Sequence, residues 1–224
     1  MVLSRTQILA GFVVGTMLST SVAQAQVISE APIAEEGQSL VLSANGHALK
    51  MPLPDWLSAD QLSAGNVWPL VDSTYRSDDS QALLEIYPKG ESEALWKTLY
   101  GARITYTDAR TLTAYRNVVM AGYAQTCKPE LTGFFQLGAD QGDRLAPLGF
   151  ACGAYLDRLT GFAGMGEIMV MSFTKTENGV AIVYQEWRGP AFNPSDAASW
   201  PVPTSVVQAR ATQLQADATV TVAN

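Results

Sequence analysis

Two Asn-Gly pairs, Asn45-Gly46 and Asn178-Gly179, each stand between runs of alternating apolar residues. Both residue types accept a positive φ at low cost, which a two-residue hairpin turn requires, so the pattern commits much of the chain to antiparallel sheet. The first hairpin spans residues 38–53, and the second joins residues 167–175 to 180–187. A two-residue turn in the second places Met169, Met171, Phe173, Ile182 and Tyr184 on one face with Glu186 and Arg188, and that face is expected to be core.

Further strand pairs are expected at residues 68–75 with 81–87, across the polar residues 77–80, and at 131–137 with 145–155, across residues 138–143. Helical spacing enters in three places. Leu95, Trp96, Leu99 and Tyr100 predict a helix from Glu91; Leu112, Tyr115, Val119 and Tyr123 predict one over 109–124 with Asp108 as N-cap; and residues 204–215 follow Pro203 as a final helix. The expected fold class is α+β: a twisted antiparallel sheet packed with two or three helices and stapled by one disulfide.

The disulfide follows from the cysteine count. Cys127 and Cys152 are the only cysteines, too far apart for a CxxC redox centre, and one histidine, His47, leaves too few ligands for a zinc site. An oxidising compartment is expected because residues 1–25 read as a secretory signal, with Arg5, an apolar run over 8–18, and Ala23-Gln24-Ala25 before Gln26. That apolar run is too short to span a bilayer. Residues 26–37 are expected as a flexible leader, 38–215 as one domain, and 216–224 as a frayed tail.

The net charge of −7 gives no electrostatic footprint for nucleic acid or anionic lipid. No GxSxG elbow, phosphate loop, HExxH or GxGxxG is present, and His47 flanks a turn with no triad partners near it in sequence. Asp140 and Asp143 lie in a turn that lacks the alternating ligands of a calcium loop. Carboxylates that could serve a hydrolase are Glu167, Glu186, Asp157 and Asp143. No catalytic residue, metal or cofactor is assigned. The densest cluster of recognition-type residues is Glu186, Trp187 and Arg188, the candidate interaction site; the alternative is a core Trp187 with Arg188 paired to Glu186 across one strand face. Arg188→Ala is expected to abolish partner binding and leave folding intact.

Two segments carry a resemblance: Glu85-Ile-Tyr87-Pro-Lys-Gly90-Glu91 followed by Trp96, and residues 184–192 followed by Asp196-Ala-Ala-Ser-Trp200-Pro201. Together they resemble a group of exported bacterial proteins of unknown function that also place two cysteines between these segments. The element order is similar to the Mog1/PsbP-like fold, which implies a small accessory or binding protein. The expected function is therefore a periplasmic, non-enzymatic accessory or binding protein with an envelope protein partner. A carboxylate-based cell-envelope hydrolase is one alternative, and a small-molecule carrier with a cavity at Met169, Met171 and Phe173 is another.

Overall fold

The computed structural model describes residues 31–58, 60–61, 67–141 and 144–222. The expected signal segment with its Ala25/Gln26 cleavage point lies outside them, as do Asp143 and parts of the expected leader and tail.

Asn45 and Gly46 both take positive φ, 45° and 73°, and turn strand β2 (Ser39–Ala44) into β3 (His47–Pro52) as expected. Two short strands complete this sheet at its edges. β1 (Ile33–Glu36) pairs with β2, and β11 (Thr219–Val222) pairs with β3, giving the antiparallel order β1-β2-β3-β11. The leader and tail are corrected accordingly. Both segments are four-residue edge strands with one face open to solvent, so they carry too few apolar residues to announce themselves in sequence.

The second sheet has seven antiparallel strands: β4 (Val71–Ser77), β5 (Gln81–Pro88), β6 (Thr98–Thr105), β7 (Thr132–Gln136), β8 (Leu148–Cys152), β9 (Met165–Lys175) and β10 (Val180–Pro190). Their spatial order is β4-β5-β6-β10-β9-β8-β7. β6 replaces the helix expected from Glu91. As a central strand it is buried on both faces, Leu99 on one side and Tyr100, Ala102 and Ile104 on the other. An apolar run without alternation is what such a strand looks like in sequence, and here it mimicked a helical stripe. Residues 91–97 form a turn instead, closed by the Glu91 carboxylate, which accepts from the N–H of Lys97 at 2.6 Å and of Thr98 at 3.2 Å.

Helix α1 (Leu112–Ala124) covers one face of the large sheet. Thr111, not Asp108, is its N-cap, its hydroxyl accepting from Ala114 N–H at 3.2 Å; Asp108 grips Arg110 just outside the helix. Helix α2 (Thr204–Asp217) packs with the small sheet on the opposite face, touching β9 and β3. Leu40, Leu42, Leu49 and Met51 of the small sheet thus meet Leu84, Ile86, Tyr100 and Val170 of the large one, with Val207, Ala211 and Leu214 of α2 closing the layer. Among the described residues no helix is long and apolar enough to cross a membrane.

Cys127, just past α1, is bonded to Cys152 at the end of β8, so the staple ties the helix exit to the sheet. The β9–β10 hairpin differs from expectation in an instructive way. Its register pairs Val180 with Lys175, two residues from the pairing that an Asn178-Gly179 turn imposes. Gly179 is needed for close approach rather than for a positive φ: a Cβ there would lie 1.9 Å from the carbonyl oxygen of Thr105. A shift of two preserves the side-chain faces, so Met169, Met171, Phe173, Ile182, Tyr184, Glu186 and Arg188 do share one buried face.

Candidate functional site

Glu186, Trp187 and Arg188 do not form a surface. All three are buried in β10, and because strand side chains alternate, Trp187 points to one face while Glu186 and Arg188 point to the other. The candidate interaction site is therefore corrected: its residues belong to two separate interiors, one under α1 and one under α2.

Under α1 lies a buried carboxyl pair. Glu167 and Glu186 sit on neighbouring strands β9 and β10, and both are almost fully enclosed. The two side chains are hydrogen-bonded to each other, and Tyr155 donates its hydroxyl to Glu167 Oε2. Burial pushes both carboxyls up from their ordinary value, and Glu186 is pushed further by the adjacent Glu167 and Glu85. A hydrogen bond between two carboxyls requires a proton on one of them, and Arg188 stands opposite Glu167 in the strand register.

Arg188 itself is clamped between aromatic faces. Its guanidinium carbon lies 3.4 Å from the Trp96 ring centroid, 4.0 Å from that of Phe162 and 5.5 Å from that of Tyr155. Its Nε is buried without a hydrogen-bond partner, so the rings supply the stabilisation that a water shell would otherwise give. Farther along the same face, Glu85 accepts from Tyr87 at 2.9 Å and Thr74 at 3.3 Å, and lies 3.5 Å from the Tyr184 hydroxyl. Gly101 makes that reach available, since a Cβ there would fall 2.1 Å from the Tyr184 ring.

The carboxyl pair should set a stability slope. A carboxyl raised above its unfolded value of about 4.3 contributes stability that is complete below that pH and lost as pH rises through the folded value. The urea midpoint of the protein is expected to fall on going from about pH 5 to 8, and Glu186→Gln to flatten that fall, because the amide donates without ionising. Asp108, lowered to about 2 by its hydrogen bond from Arg110, acts in a more acidic window. Equal slopes in the two proteins would remove the pair as the titrating element.

Under α2 the structure holds an open cleft of about 570 Å³, bordered by Leu53, Pro54, Asp55, Leu57, Ser205, Val206, Ala209, Arg210 and Gln213, with Gln38 at its rim. Trp187 enters the site here from below: its indole N–H donates to Asp55 Oδ2 at 3.0 Å. Burial raises the Asp55 carboxyl, while Arg210 beside it and the Trp187 bond act in the opposite direction. Arg210 is 2 % exposed, stacks 4.5 Å from the Tyr100 ring centroid, and donates through Nη1 to Leu53 O and Gln213 Oε1, both at 2.7 Å. Its Nε and Nη2 are buried without partners. Sequence reading missed Arg210, although it occupies the stripe of α2 that also carries Val207, Ala211 and Leu214. A cation at a core position of an amphipathic helix was the available signal.

The other readings fare differently. Glu167 and Glu186 are in hydrogen-bond contact and enclosed, not separated across a concave site, and Asp157 is engaged with Lys128 at 3.0 Å. Met169, Met171 and Phe173 are packed core residues. Asp140 accepts from Ala146 N–H at 2.9 Å and lies 3.4 Å from Arg116. His47 stacks on Tyr106 beside the first turn, its ring centroid 5.9 Å away.

No family model matches this chain, and no curated protein matches it either. Among solved structures, that of a mutant of the protein Mog1 is similar to it at 11% sequence identity and a TM-score of 0.48, over 83% of this chain and 96% of that one. Likeness at that level carries no inference about activity or partner.

Proposed function

We propose that this chain is an exported, periplasmic, non-enzymatic binding protein, and that the cleft between α2 and residues 53–57 receives a polar segment of an envelope partner. The observation that carries this reading is that one acid and one base, Asp55 and Arg210, line the same cleft. Both charges are held in place from beneath, Asp55 by Trp187 and Arg210 by Leu53 O and Gln213. Charged groups fixed on a rigid floor give orientation and specificity at low ordering cost. The cleft has one carboxylate and no histidine or cysteine, a poor set for acid–base or nucleophilic chemistry.

The test is cross-linked recovery of partners by the tagged, exported protein and by Ala209→Trp. Ala209 is an exposed wall residue of the cleft, so an indole there fills the opening without entering the core. Wild-type protein is expected to recover a stoichiometric partner that Ala209→Trp loses at unchanged thermal unfolding. Equal recovery by both proteins, or none by either, overturns the reading.

A further inference from the structure

A second cleft, of about 410 Å³, opens between α1 and the sheet and is lined by Arg103, Arg110, Tyr115, Val119, Gly122 and Tyr123 together with Val118 and Thr126. We propose that it binds a small organic carboxylate, whose anionic group pairs with Arg103 and whose apolar body lies against the tyrosines and valines. The site is separate from the α2 cleft and does not depend on what that cleft binds.

The charge balance of the lining points this way. It contains two arginines and no acid. Arg110 is already neutralised, since Asp108 accepts from its Nε at 2.9 Å and from its Nη2 at 2.5 Å. Arg103 is not. Its Nε is buried without a hydrogen-bond partner, and no carboxylate among the described residues forms an ion pair with it. The acids on the same sheet face are otherwise engaged: Glu85 with Tyr87 and Thr74, and Glu186 with Glu167. A half-buried guanidinium with no ion-pair partner is costly, and a planar carboxylate is the anion its fork fits best.

The walls set the rest of the ligand. Tyr115 spends its hydroxyl on Thr105 at 2.7 Å and Thr126 spends its own on Tyr123 O at 2.7 Å, so these residues offer little further polar recognition. What remains is aromatic and aliphatic surface, including Val118, 54 % exposed. Gly122 leaves the space open: a Cβ there would meet nothing within 4 Å. The cleft volume falls in the range of small-molecule sites, about 300–1,000 Å³.

Benzoate is the probe, benzamide its neutral isostere, and inorganic phosphate the bare-anion control, read by thermal unfolding of the full chain at constant ionic strength. At ten times its Kd benzoate is expected to raise Tm by about 3–6 °C. Benzamide and phosphate at the same concentration should leave Tm unchanged. Arg103→Met removes the charge and Gly122→Leu fills the space, so each is expected to lose the benzoate shift. Should Arg103→Met fold poorly, Gly122→Leu alone decides. The proposal fails if benzoate gives no shift up to about 20 mM, well into the weak end of recognition, if benzamide or phosphate matches it, or if the shift survives Gly122→Leu.

Discussion

Arg188→Ala is expected to destabilise the protein by about 3–5 kcal/mol, the range for removing one member of a buried charged cluster. Two losses combine. The guanidinium fills the space between Trp96 and Phe162, so truncation leaves a cavity between two rings. It also supplies the positive charge that faces Glu167, which is enclosed in the same interior. Urea unfolding followed by tryptophan fluorescence measures the loss. Arg188→Met with Glu167→Gln separates the causes: the pair replaces both charges and restores volume, so the double variant should recover most of what Arg188→Ala loses. An Arg188→Ala protein within about 1 kcal/mol of wild type would show that the guanidinium is not held in the core. This outcome reverses the expectation that the substitution spares the fold.

Removing the disulfide comes next in size. Cys127 and Cys152 enclose a 25-residue separation, and closing such a loop disfavours the unfolded chain by about 3.5 kcal/mol in the chain-entropy account. For a domain of this length that corresponds to a fall in Tm of about 7–14 °C. The bond also joins the exit of α1 to β8, so the helix should lose its anchor to the sheet when it is cut. Cys127→Ala with Cys152→Ala, compared with wild type before and after reduction, tests this. Reduced wild type should match the double variant. If all three share one urea midpoint, the bond contributes nothing to folding.

What could be read from the sequence depended on how a residue's neighbours are arranged in space. The Asn45-Gly46 hairpin was legible because the turn chemistry and the alternation are local. The buried face of the β9–β10 hairpin was legible despite the displaced turn, since an even register shift leaves the faces unchanged. β6 was not, because a strand flanked by β5 and β10 and covered above and below has no polar side to alternate with. β1 and β11 were not, because each exists through one partner distant in sequence or at an edge. The Glu186, Trp187 and Arg188 cluster failed for a reason the sequence already contained. Once residues 180–190 are a strand, Trp187 parts from Glu186 and Arg188 to the opposite face, and the three cannot form one site. Arg103 and Asp55 became visible only when folding placed them in clefts bounded by other elements, whereas Arg210 already stood out as a cation on the apolar stripe of α2.

The order of the small sheet, β1-β2-β3-β11, has a consequence for how the chain is made. Synthesis runs from the N-terminus, so β1, β2 and β3 emerge early, with Leu40, Leu42, Leu49 and Met51 exposed until their partners exist. Those partners include Val207, Ala211 and Leu214 of α2, and β3 waits for Val220 and Val222 on its open edge. The layer that closes the fold therefore waits for α2 and β11, which are made after the seven strands of the large sheet. Chains that lack α2 and β11 should remain sticky and loosely ordered, with the apolar face of the small sheet uncovered.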